Sequence, residues 1–136
     1  MSMTKEQYIA KHFPEVDPGS RPPGTKILVQ LRTMAAKSKG GILLANDTKD
    51  FNQGNTRVCR LIKMGEMAYR HRDTFELWPE GVWANVGDIV IMPAWGGFRF
   101  EVPIPDSEDK AIFAVYKDHE IELVVHDNFE AYDKLL

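Results

Sequence analysis

The sequence predicts a small all-β protein, a barrel or sandwich of six short strands. Apolar residues alternate with polar ones at a period of two in several segments, and others are brief apolar runs fenced by Gly, Pro, Asn and Asp. No long helical period interrupts them.

The elements follow in order along the 136 residues. "TKEQYIAKHF", residues 4–13, predicts one short helix: Thr4 and Gln7 have capping-box spacing, and Pro14 ends it. Residues 14–24, "PEVDPGSRPPG", are an extended linker by their proline and glycine content. "KILVQLR" sets Ile27, Val29 and Leu31 against Lys26, Gln30 and Arg32, the pattern of a half-buried strand. "TRVCRLIKMGE" is a second strand ending at Gly65, and "NVGDIVIMP" holds a third, Ile89–Ile91, buried on both faces. "GGFRFEV" alternates Phe98, Phe100 and Val102 with Arg99 and Glu101, and "WGGF" before it suggests a tight hairpin turn. "AIFAVY" and "IELVV" complete the set around the polar turn "KDHE", and residues 126–136, without a strand pattern, are a frayed helix or a tail.

Composition narrows the function. An apolar fraction of 43%, a charged fraction of 27% and a net charge of −3 describe an ordinary soluble domain, with no excess of positive charge for nucleic acid or anionic lipid. Cys59 is the one cysteine, so neither an internal disulfide nor a cysteine metal cluster is expected. The start lacks the apolar run of a signal peptide, and no segment has the ~20 apolar residues of a membrane span, so a cytoplasmic protein is expected. His12, His71, His119 and His126 show no local metal-ligand spacing, and no nucleophile elbow, phosphate loop or dinucleotide fingerprint is present. Neither an enzyme nor a cofactor or metal is expected.

One stretch resists the strand pattern. In "KSKGGILLANDTKDFNQGN", Lys37–Asn55, the apolar triplet Ile42, Leu43 and Leu44 follows Gly40 and Gly41 and is flanked by polar residues poor at forming strands. A triplet kept outside the core on such a segment suggests docking to a hydrophobic groove. The alternative is an edge strand, "GILLA". A second unusual stretch, Tyr69–Trp83, mixes Arg70, His71 and Arg72 with four aromatics, which admits either single-strand stacking or a packed hairpin.

The order of these parts closely resembles the co-chaperonin family, the GroES-like lids of chaperonin cages. Lys37, Gly40, Gly41, Ile42, Leu43 and Leu44 match that family's mobile-loop motif K-x-x-G-G-I-hydrophobic-L. Val86, Gly87, Asp88 and Val90 match its V-G-D-x-V entry, Trp95–Gly96 resembles its aromatic–glycine turn, and "AIFAVYKDHEIELVV" resembles its terminal strands. The likeness spans about Pro23 to Val125. It implies a GroES-like β-barrel over 23–125, with a mobile loop at about 33–55 and a roof-like insertion at about 66–85. Around it lie an N-terminal extension, 1–22, and a C-terminal tail, 126–136, as in extended members encoded by bacteriophages. It further implies a heptamer, a GroEL-type chaperonin as partner, bound through Gly40, Gly41, Ile42, Leu43 and Leu44, and folding client proteins as cargo. Neighbouring subunits of the family pair through their first and last strands, here Lys26–Arg32 and Ile121–Val125. A viral assembly protein using the loop on another partner, or a single-strand-binding barrel using Tyr69–Trp83, are the alternatives. The insertion departs most from the family. Phe75, Leu77, Trp78, Val82 and Trp83 are too many apolar groups for a solvated hairpin, so it is expected to fold inward or onto a neighbour around the turn Trp78–Gly81, leaving Arg70, His71 and Arg72 outward or facing the cage.

Overall fold

A computed structural model describes residues 4–32, 57–93 and 97–132. One helix, α1 (Lys5–His12), precedes six strands: β1 (Lys26–Leu31), β2 (Val58–Met64), β3 (Ile89–Ile91), β4 (Phe98–Pro103), β5 (Lys110–Lys117) and β6 (Leu123–Val125). They form one antiparallel sheet in the order β4-β5-β1-β2-β3-β6. The small all-β fold and its six strands are as expected.

The helix starts where its sequence says. The Thr4 hydroxyl accepts the Gln7 N–H at 3.1 Å and the Gln7 side chain accepts the Thr4 N–H at 2.8 Å, so two otherwise orphaned donors are satisfied. Eight residues do not hold a helix alone. Tyr8, fully buried, carries α1 onto the sheet with Phe13 and Phe129, over Val58, Ile89, Ile91 and Val125. Lys5 adds an ion pair to Asp88 at 2.6 Å.

The sheet curls around its main core, built from Ile27, Val29, Leu31, Leu61, Val90, Met92, Ala114 and Tyr116. Tyr116 of β5 shows the curl: its hydroxyl donates to Pro93 O, just beyond β3, at 3.1 Å although two strands lie between them. The outer face carries Leu28, Ala111 and Phe113, with Val16, Phe100 and Val115 packed on them.

Three expectations are corrected. First, β1 is not half-buried: Gln30 and Arg32 are each 1% exposed. The linker is the reason, for it lies on the outer face, where Pro14 O accepts from Gln30 Nε2 at 2.9 Å and Val16 joins the Leu28 cluster. Second, β1 is no edge strand, because β2 and β5 pair with it on either side, so it has no free edge to offer a neighbouring subunit; among the described residues the edges are β4 and β6. Third, β3 and β4, the strands on either side of "WGGF", are not neighbours, so they form no hairpin; Trp95 and Gly96 themselves lie outside the described residues. β4 pairs instead with β5, where Phe100 stacks on Phe113 at 5.7 Å, and the turn there is closed by the Ile104 N–H to Asp109 O. Of the final segment, expected as a frayed helix or a tail, Phe129–Tyr132 form a 3-10 turn with Phe129 buried under α1.

Candidate functional site

The sequence singles out Gly40, Gly41, Ile42, Leu43 and Leu44, and these lie outside the described residues. The two strand ends that bear residues 33–56 are described. They are neighbours: Leu31 registers with Cys59, and the Arg32 N–H donates to Val58 O at 3.0 Å. The chain therefore leaves and rejoins the sheet one hydrogen bond apart.

Each end is fixed by an arginine. Arg32 is buried, and its Nη1 donates to Tyr132 O at 2.8 Å and to the Tyr8 hydroxyl at 3.3 Å. One guanidinium thus joins the end of β1 to both terminal segments. A charge so deeply buried needs such acceptors to offset its desolvation. Arg57, on the other end, donates through Nε to Met92 O at 3.0 Å and pairs with Glu122. Sequence reasoning missed both roles. Arg32 sits in the polar phase of an alternating strand, where it reads as solvent-facing, and its acceptors lie 24 and 100 residues away.

The V-G-D motif is a turn that feeds β3. The Asp88 carboxylate accepts the Asn85 N–H at 2.8 Å, and the Gly87 N–H donates to Leu61 O at 2.7 Å. Gly87 takes a φ of +98°, which its missing Cβ permits. Burial would raise the Asp88 pKa, but the Asn85 N–H and the Lys5 ammonium outweigh it and hold the carboxyl below its usual range. The motif's acid therefore serves the turn and anchors α1.

In the roof-like stretch three of the four aromatics turn inward. Tyr69 is fully buried, and Trp78 and Trp83 pack half-buried on the core, with ring centroids 5.4–5.6 Å apart within this trio. The turn is where the sequence places it, with the Gly81 N–H donating to Trp78 O at 2.7 Å and Pro79 at its first corner. His71 and Arg72 face solvent, and Arg70 Nη1 donates to Phe75 O at 2.8 Å. Phe75, Leu77 and Val82 are exposed on this chain and so do not fold inward with the trio. The stretch is closed on itself by the bridge Arg70↔Leu77. The three rings meet edge-on or tilted.

The stretch is tied down by a residue that lies far off in sequence. Asp118, 2% exposed, accepts the Tyr69 N–H at 2.8 Å through Oδ2, and its own N–H donates to Thr25 O. Tyr69 is left-handed, with φ +61°, a strained setting for an aromatic residue. Its phenol is pushed up in pKa by burial and then by the Asp118 charge.

The Cys59 thiol is buried and pushed up to about 12 by burial, against the pull of Arg99 and Arg32. Among the described residues no group of His, Cys, Asp and Glu is placed to hold a metal ion, and no helix is long and apolar enough to cross a membrane. Comparison of the chain with models of known protein families gives no match, and comparison with curated proteins gives none.

Proposed function

We propose that this chain is a co-chaperonin, a GroES-like β-barrel that caps a GroEL-type chaperonin ring in the cytoplasm of a cell or of a phage-infected host. The observation that carries the proposal is the sequence G-G-I-L-L at Gly40–Leu44, borne on residues 33–56 between two adjacent strand ends that are each pinned by an arginine. Ile42, Leu43 and Leu44 dock in an apolar groove of the chaperonin, while Gly40 and Gly41 let the backbone turn as they enter. Three buried aliphatic side chains contribute roughly 1.5–3 kcal/mol each. Ordering ten or so residues costs about 1–2 kcal/mol apiece, so a single copy binds weakly. Seven copies on one ring bind tightly by effective concentration, and the ordering cost favours release. The chaperonin supplies the ATP hydrolysis; this chain needs no catalytic residue or cofactor of its own, and client proteins fold in the chamber it closes.

The test is refolding of a chaperonin-dependent client with this protein as the only co-chaperonin. Recovered client activity and suppressed chaperonin ATPase are expected. A client that stays aggregated, with ATPase unchanged, contradicts the proposal.

A further inference from the structure

Where the N-terminal linker crosses the outer face of the sheet it borders a cavity of about 250 Å³, lined by residues 15–18, by β2 and by Val86 of the turn before β3. Sites for drug-sized ligands run to about 300–1,000 Å³, so this one suits a smaller molecule. Val16, Pro18, Ile62 and Val86 give it an apolar lining, and two cations, Arg60 and Lys63, line it too.

The two cations are not equivalent. Lys63 is satisfied within the chain: its Nζ lies 3.3 Å from Asp17 Oδ1 and donates to Ser20 O at 2.7 Å. Asp17 is engaged as well, accepting the Gly19 N–H at 2.9 Å, and that N–H and the Lys63 ammonium hold its carboxyl below the usual range. Arg60 has no such match. It stands opposite Gln30 in the β1–β2 register and is half-buried. Its Nε is shut off from solvent and has no hydrogen-bond partner. Among the described residues no carboxylate pairs with its guanidinium, and Glu15, which also lines the cavity, stands in solvent. A guanidinium withdrawn from water is stabilised by an anion that receives its fork of N–H groups.

We propose that the cavity binds a small carboxylate with an aliphatic body, its charge on the Arg60 guanidinium and its body against Val16, Ile62 and Val86. An inorganic anion would leave the apolar lining in water, and a neutral hydrocarbon would leave the guanidinium unpaired. The ligand touches both β2 and the linker, so it fastens the N-terminal extension to the sheet. The site stands apart from the co-chaperonin reading, since none of its residues belongs to 33–56.

The experiment titrates hexanoate into the full chain by calorimetry at fixed ionic strength, with hexanamide and inorganic phosphate as controls. Hexanoate is expected to bind, to raise the melting temperature and to slow amide exchange in residues 15–20. Each control should bind at least about tenfold more weakly, because each lacks one of the two contacts. Arg60→Gln should lower hexanoate affinity roughly ten- to a hundredfold, and Arg60→Lys, which keeps the charge without the fork, should fall between. Val86→Asp, at an exposed position, tests the apolar end should an Arg60 variant fail to fold, and it too should weaken hexanoate. A parent that does not bind hexanoate, or that binds hexanamide or phosphate as well as hexanoate, overturns the proposal. So does a folded Arg60→Gln or Val86→Asp variant with the parent's affinity. Binding seen only after Glu15→Gln also overturns it, for Glu15 would then be the natural partner of Arg60.

Discussion

Replacing Asp118 by alanine should loosen the whole roof-like stretch without touching it. The buried carboxylate accepts the Tyr69 N–H at 2.8 Å. A hydrogen bond to a charged group contributes about 1.5–3 kcal/mol, and a buried N–H left unsatisfied loses roughly 1–3 kcal/mol of solvation. These overlap, because they describe one broken bond, and removing the carboxylate also removes its own desolvation penalty. A net loss of about 2 kcal/mol is therefore expected, with about 1 kcal/mol for Asp118→Asn, whose amide oxygen still accepts. Tyr69 holds φ +61° at a strain of order 1 kcal/mol or more, so once its N–H is released the backbone has reason to relax and part the Tyr69–Trp78–Trp83 trio. Urea unfolding gives the stability. Tryptophan emission, in a Trp95→Phe background, reports Trp78 and Trp83, and it should shift to the red before the global transition in the alanine variant. An alanine variant within about 0.5 kcal/mol of the parent, with unshifted emission, refutes the role given to Asp118.

Three further outcomes are expected. Phe129→Ala removes a ring from the cluster under α1 and should lower stability by about 3–5 kcal/mol, with amide exchange of residues 5–12 rising to that of an unfolded peptide. Asp88 has a depressed pKa in the folded state, so its contribution is complete above the unfolded carboxylate value near pH 4 and is lost as pH falls through the folded value; α1 should loosen on that acid limb, and Asp88→Asn should remove that limb from the pH dependence of its exchange. The Cys59 thiol, raised to about 12, should resist a disulfide reagent at about pH 8 in the native protein and react at once in denaturant.

Local signals in the sequence translated well into structure. Thr4 and Gln7 form their capping box because the motif is completed within four residues. Ile89–Ile91 are buried on both faces, as an unbroken apolar run between turn residues implies. The inward turn of Trp78 and Trp83 follows from their size. What local pattern could not carry was anything set by distant chain. Gln30 and Arg32 read as solvent-facing until the linker and Tyr132 cover them. The alternation in β4 was visible, but its phase was not: Phe98 and Phe100 lie on the outer face, while Arg99 donates to the Tyr116 hydroxyl at 2.9 Å. Which strands are edges depends on the order β4-β5-β1-β2-β3-β6, and a period of two says nothing about neighbours. The site followed the same rule. The triplet Ile42–Leu44 stood out by composition, whereas Arg32 and Arg57, which fix the strand ends bearing it, are marked only by partners remote in sequence.

The central claim is that Ile42, Leu43 and Leu44 belong to a partner's groove and not to this protein's core. Leu43→Asp tests it most directly when chaperonin capture and thermal unfolding are measured on one preparation. The account predicts loss of capture and of ATPase suppression, with melting temperature and oligomer mass equal to the parent's. A charge placed in a core would lower stability by ~2 kcal/mol or more. A variant destabilised to that degree, or one that still caps the chaperonin as the parent does, contradicts the account.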